Sequence, residues 1–132
     1  MAEWVWSDDR VKAIVFLDGS PDLSPDKGGA EVVQFGLSKP FLAMYSTELG
    51  GATGLFNKAT KDAVWFQING TMHGHFSGWY WWSYPNDLVI GREATRTINA
   101  YTLWFLNKYL KGSTDPMPAL ADYPRVINFQ QK

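Results

Sequence analysis

Three short apolar runs constrain this chain more than any other feature. Residues 11–17 (Val-Lys-Ala-Ile-Val-Phe-Leu), 41–46 (Phe-Leu-Ala-Met-Tyr-Ser) and 63–68 (Ala-Val-Trp-Phe-Gln-Ile) are rich in β-branched and aromatic side chains and are bounded by turn-forming residues. In the first run the apolar side chains fall on both faces instead of alternating. A strand with that pattern needs cover on both sides, as in a parallel sheet between helices. The other two repeat the strand signature; the second is entered through Lys39 and Pro40, and proline suits the first position of a strand. With 132 residues in all, the chain fits one domain built around one core.

The connections are equally informative. Residues 18–31 combine two prolines and three glycines with Asp and Ser, which predicts an irregular loop leaving the first strand at its carboxyl end. Residues 50–54 open the second connection, with a helical turn expected over residues 55–59, and Asn69-Gly70 ends the third strand. Residues 71–84 form a loop dense in aromatic side chains and interrupted by Gly74 and Gly78. Over residues 92–110, Ala94, Ile98, Tyr101, Phe105 and Tyr109 recur every three or four positions, the spacing of one helical stripe, and Gly112 supplies the stop. Leu103 and Leu110 fall off that stripe, which gives the helix a second apolar surface. Residues 113–132 carry three prolines and read as a tail over the domain, anchored at Val126 and Ile127.

Composition removes several classes of function. Twelve Lys and Arg against thirteen Asp and Glu leave a net charge of −1, too little to hold a nucleic-acid backbone through counterion release. No apolar run reaches the length of a spanning helix, and the first residues lack the charged and apolar regions of a signal peptide. The absence of cysteine excludes disulfides, a thiol nucleophile and thiolate metal sites. Seven Trp, six Tyr and eight Phe exceed what a core of this size absorbs, so some are expected to line a ligand cleft or a partner surface.

An α/β order places chemistry in the loops beyond the carboxyl ends of its strands. Asp18 follows the first strand and His73 the third, so residues 55 positions apart are expected at one edge of the sheet. An Asp bonded to an imidazole fixes its tautomer and stabilises the imidazolium formed when it takes a proton. The plainer alternative is an Asp capping a turn and a His closing a loop. His73 and His75 also make an H-x-H pair, but with no cysteine and no further histidine the metal reading lacks a third ligand, and no metal or other cofactor is expected. Trp79, Trp81 and Trp82 suit a stacking wall, a lid or a lipid-interface patch, or else core filling. A nucleophile is missing: Ser38 has the first half of G-x-S-x-G but lacks the last glycine and precedes a strand, and Ser77 is merely near His73 in sequence.

Phe-Leu-Asp-Gly at 16–19, Lys-Pro-Phe-Leu at 39–42, Asn-Gly-Thr-Met-His at 69–73 and Tyr-Thr-Leu-Trp-Phe-Leu-Asn-Lys-Tyr-Leu-Lys-Gly at 101–112 together resemble the carboxyl-terminal half of an α/β-hydrolase. The nearest branch is similar to the platelet-activating-factor acetylhydrolase and dienelactone hydrolase group of esterases. The resemblance implies a partial hydrolase sheet of about three parallel strands with a long C-terminal helix. Asp18 matches the triad acid, His73 the triad base, and Phe76, Trp79, Trp81 and Trp82 fall where a substrate pocket is expected. Too few residues precede Asp18 for a nucleophile elbow, so the serine and the oxyanion hole are expected outside this chain, which alone should be inactive. The implied partners are a small ester, possible contact with a lipid interface, and either the missing amino-terminal half or a second copy paired through the edge of strand 11–17. The alternative is a non-catalytic domain whose aromatic loop holds a small ligand or a partner.

Overall fold

The computed structural model describes residues 8–19, 35–48, 53–77 and 88–132. Its elements in chain order are β1 (Ile14–Leu17), β2 (Phe41–Ser46), α1 (Thr53–Lys58), β3 (Ala63–Ile68), a 3-10 turn (His73–Phe76), α2 (Leu88–Lys111), a second 3-10 turn (Leu120–Asp122) and β4 (Val126–Gln131). The strands form one mixed sheet in the order β1-β2-β3-β4. Parallel pairing joins β1 to β2, with Ile14 opposite Phe41, and β2 to β3, with Phe41 opposite Ala63. The architecture is therefore α/β, and the parallel strands bring their carboxyl ends to one edge.

Both faces of the parallel strands are covered, as their unalternating composition requires. Phe41, Ala43, Tyr45, Ala63 and Trp65 point to one side and pack with Leu37 and with Leu55 and Phe56 of α1. Leu42, Met44, Val64, Phe66 and Ile68 point to the other, against Ala94, Tyr101, Trp104 and Phe105 of α2. All six residues of β2 are buried, which makes it the centre of the core. β1 is half-buried and shorter than the sequence suggests, four residues in place of seven. Ile14 and Phe16 still pack on the first face and Val15 on the second.

Helix α2 uses the expected stripe: Ala94, Tyr101 and Phe105 are buried, with Ile98 and Tyr109 packed beside them. Gly112, with φ of 69°, ends it, and the Ser113 N–H bonds back to the Asn107 carbonyl at 3.1 Å, so a left-handed glycine closes the last turn. Leu103 and Leu110 lie exposed on the far side.

The tail expected over residues 113–132 is corrected by the structure. Its last residues are a strand, β4, antiparallel to β3, with Val126 opposite Ile68 and Gln131 opposite Val64. Phe129 stacks near Phe66 with ring centroids 6.0 Å apart, and backbone bonds between Ala63 and Lys132 close the ladder. This strand is half-buried at best, so its composition lacks the apolar signature of the other three, and its partner lies some sixty positions earlier. Among the described residues no helix is long and apolar enough to cross a membrane.

Candidate functional site

Asp18 is the first residue beyond β1. Its N–H still bonds the Met44 carbonyl at 2.8 Å, continuing the ladder, but its backbone turns into the left-handed region at φ of 51°. Asp adopts that conformation more readily than most residues. The turn folds the carboxylate inward, where the residue is 1% exposed. A buried carboxylate is costly unless hydrogen-bonded, and this one is served on both oxygens. Oδ1 accepts the Ser46 N–H at 2.7 Å, and Oδ2 lies 2.8 Å from His73 Nδ1.

His73 opens the 3-10 turn after β3, and its side chain is 66% exposed. A carboxylate only accepts, so the shared proton sits on Nδ1 and the neutral ring keeps its lone pair on Nε2. The segment leading to His73 is fixed by its own chemistry. Gly70 takes φ of 78°, where a side chain would be strained. The hydroxyl of buried Thr71 donates to the Ile68 carbonyl at 2.6 Å, and the Thr47 hydroxyl reaches over from the end of β2 to the Thr71 carbonyl at 3.2 Å.

His75, two residues on, is 5% exposed. Its Nδ1 lies 2.9 Å from the Met72 nitrogen and 3.2 Å from the Met72 carbonyl; an N–H can only donate and makes the shorter contact, so Nδ1 is assigned as acceptor and the ring proton to Nε2. The Met72 carbonyl is taken by the backbone N–H of His75 at 3.0 Å. The H-x-H pair therefore does not present two rings to one side, because the segment is a 3-10 turn and not an extended strand. Among the described residues no group of three or more His, Cys, Asp or Glu is arranged to hold a metal.

The structure thus joins Asp18 and His73 and separates His75 from them. Phe76 is half-buried and packs against the α2-side core. Trp79, Trp81 and Trp82 lie outside the described residues. Ser38 precedes β2 and so sits at the opposite edge of the sheet from the dyad. Ser77 is exposed and donates its hydroxyl to the Gly74 carbonyl at 3.1 Å. Sequence reasoning missed the Ser46 N–H and the hydroxyls of Thr47 and Thr71. Only Thr71 carries a signal, a hydroxyl residue directly after Asn-Gly.

A second acid at the other edge makes a useful contrast. Asp62 precedes β3, and its Oδ2 accepts the Tyr109 hydroxyl at 2.5 Å and the Lys108 ammonium at 3.3 Å. The Tyr109 hydrogen bond, helped by Lys108, holds its carboxyl below the ordinary range. It ties the end of α2 to the sheet and has no imidazole to orient. Compared with known proteins, the chain matches no family model, no curated protein and no solved structure.

Proposed function

We propose that this chain supplies the acid and base of a serine-esterase-type hydrolase, with Asp18 orienting His73 as the general base. One observation carries the reading: a fully buried carboxylate, held by the Ser46 N–H on one oxygen and bonded to an exposed imidazole on the other, bridges residues 55 positions apart at the carboxyl edge of a parallel sheet. A capped turn needs no exposed histidine, and a structural ion pair gains nothing from burying only its acid. In the proposed step, Nε2 of His73 takes the proton of a serine hydroxyl as its oxygen attacks the ester carbonyl. The imidazolium, stabilised by Asp18, then returns that proton to the departing alcohol, and a water molecule repeats the cycle to release the acid.

The serine and the oxyanion donors come from a segment outside this chain. β1 is an edge of the sheet among the described residues, and the nucleophile strand is assigned to its outer side. Phe76 is the described residue proposed to border the substrate, and the substrate is a small ester.

The test is labelling by a fluorophosphonate probe, of the chain alone and of the chain mixed with a separately supplied strand–G-x-S-x-G–helix segment of an α/β-hydrolase. The expected result is no label on the isolated chain and label on the elbow serine of the complex, lost in His73→Ala. Labelling of Ser38 or Ser77, or labelling of the complex that is indifferent to His73, overturns the reading.

A further inference from the structure

We infer that Arg125, at the entrance to β4, is a positioning residue for His73; the inference rests on the proposed role of that histidine as base. The argument begins with the four residues between the end of β3 and His73. A base has to hold its ring within a fraction of an ångström of its acid, and an exposed imidazole receives little help from packing. Its position is therefore inherited from the backbone of residues 69–72.

That backbone is gripped at its start by Arg125. The Asn69 N–H donates to the Arg125 carbonyl at 2.8 Å, and the Arg125 Nη1 donates to the Asn69 carbonyl at 3.4 Å. The guanidinium lies over Gly70, where an added Cβ would meet Nη1 at 3.4 Å and the Ile90 Cδ1 at 3.6 Å. The same guanidinium donates through Nε to the Glu93 carboxylate of α2. One side chain, about three-quarters buried, thus ties the Asn69-Gly70 turn, left-handed at Gly70, both to the edge strand and to the long helix. A fork with donors on separate nitrogens in fixed directions can serve a carboxylate through Nε and a carbonyl through Nη1 at once, whereas the donors of a lysine all radiate from a single nitrogen.

Thr47 holds the far end of the segment from the side of the acid. Arg125 and Thr47 therefore clamp residues 69–71 from opposite directions, and His73 is the next polar side chain to emerge. The C-terminal strand, with no chemistry of its own, becomes part of the machinery through this one residue.

The experiment measures the ring tautomer of His73 by nitrogen-15 NMR of the full chain, in the native protein and in Arg125→Ala, beside urea melts. A positioning role predicts that the ratio of Nδ1–H to Nε2–H forms at His73 falls roughly tenfold, the coupling expected within one hydrogen-bond network, while His75 keeps its tautomer. A merely structural role lowers the melt midpoint and leaves the folded-state tautomer untouched, and that result overturns the inference. Should Arg125→Ala not fold, Arg125→Lys is read the same way, since it keeps the charge beside Glu93 and loses the fork. A native Nδ1–H form that depends on Arg125, in a complex whose labelling ignores His73, would sink the esterase reading and leave the positioning intact. The reverse pattern would do the opposite.

Discussion

His73 and His75 share one 3-10 turn and differ in almost everything else. The first is two-thirds exposed and bonded through Nδ1 to a buried carboxylate; the second is buried and bonded through Nδ1 to a backbone N–H. A carboxylate is an acceptor and an N–H is a donor, so the two rings are held in opposite tautomers. His73 offers a bare nitrogen outward, whereas His75 uses its bare nitrogen to close the turn that presents His73. Neighbouring residues of one type are thus assigned separate work by the polarity of a single partner each.

The strongest way to break this comparison is to reverse the partner of His73. Asp18→Asn keeps the left-handed backbone, which Asn tolerates, and keeps an oxygen for the Ser46 N–H. Its amide donates to Nδ1 and drives the proton to Nε2. In the complex with the elbow serine, kcat/KM for a short-chain activated ester should fall by about 10⁴, as it should in His73→Ala, while a chelator changes nothing. A loss in His75→Ala as large as that in His73→Ala would break the assignment.

Stability should rank the two rings the other way. His75→Ala leaves the Met72 N–H without its acceptor and opens a void where the buried ring packs, and urea melts are expected to show a loss of about 1–3 kcal/mol. His73→Ala removes an exposed ring whose place water can take, and the expected change is about 1 kcal/mol or less. Equal losses would remove the distinction between a working and a structural histidine.

The frame beneath the turn titrates in alkali. Burial pushes the Tyr101 phenol up to about 12 from its ordinary 10.0, and its hydroxyl donates to the Pro118 carbonyl at 3.1 Å. The unfolded phenol ionises first, so the stability it contributes is complete below pH 10 and is lost as the pH rises towards 12. Tyr101→Phe should flatten that decline in melts recorded across this range, at a cost of about 1 kcal/mol near neutrality for the lost hydrogen bond. An unchanged alkaline slope would place the titration elsewhere.

The smallest effect sharpens the acid side. Asn128 of β4, at φ of 53°, donates to Gln67 Oε1 at 2.7 Å, and Gln67 Nε2 donates to the Ser46 carbonyl at 3.3 Å, next to the N–H that serves Asp18. Asn128→Gly removes the amide and suits the backbone, so stability should hold within about 0.5 kcal/mol. Activity of the complex should fall only a few-fold by this route, an order-of-magnitude expectation for an indirect contact. No change at all would confine the support of Asp18 to Ser46.

The parts of this arrangement that the sequence reveals share a physical cause. β2 and β3 are legible because every position of β2 is buried and only Gln67 of β3 is not, so composition alone reports them. Asp18 and His73 are legible because each follows a strand, and a parallel sheet brings such positions to one edge. β1 is overestimated because Val11 and Ala13 extend its apolar run although residues 11–13 do not pair. The start of α2 at Leu88 is missed because Leu88 and Val89 are exposed and add nothing to the stripe. β4 and the Arg125–Glu93 pair are invisible because a half-exposed strand carries a weak pattern and a polar contact 32 positions apart carries none.

The central claim is that Asp18 holds the proton of His73 on Nδ1, and the ring nitrogens report it directly. Nitrogen-15 NMR of the native chain and of Asp18→Asn should show His73 as the Nδ1–H form in the first and the Nε2–H form in the second, with His75 in the Nε2–H form in both. A native His73 already in the Nε2–H form, or one indifferent to the loss of the carboxylate, would contradict the account.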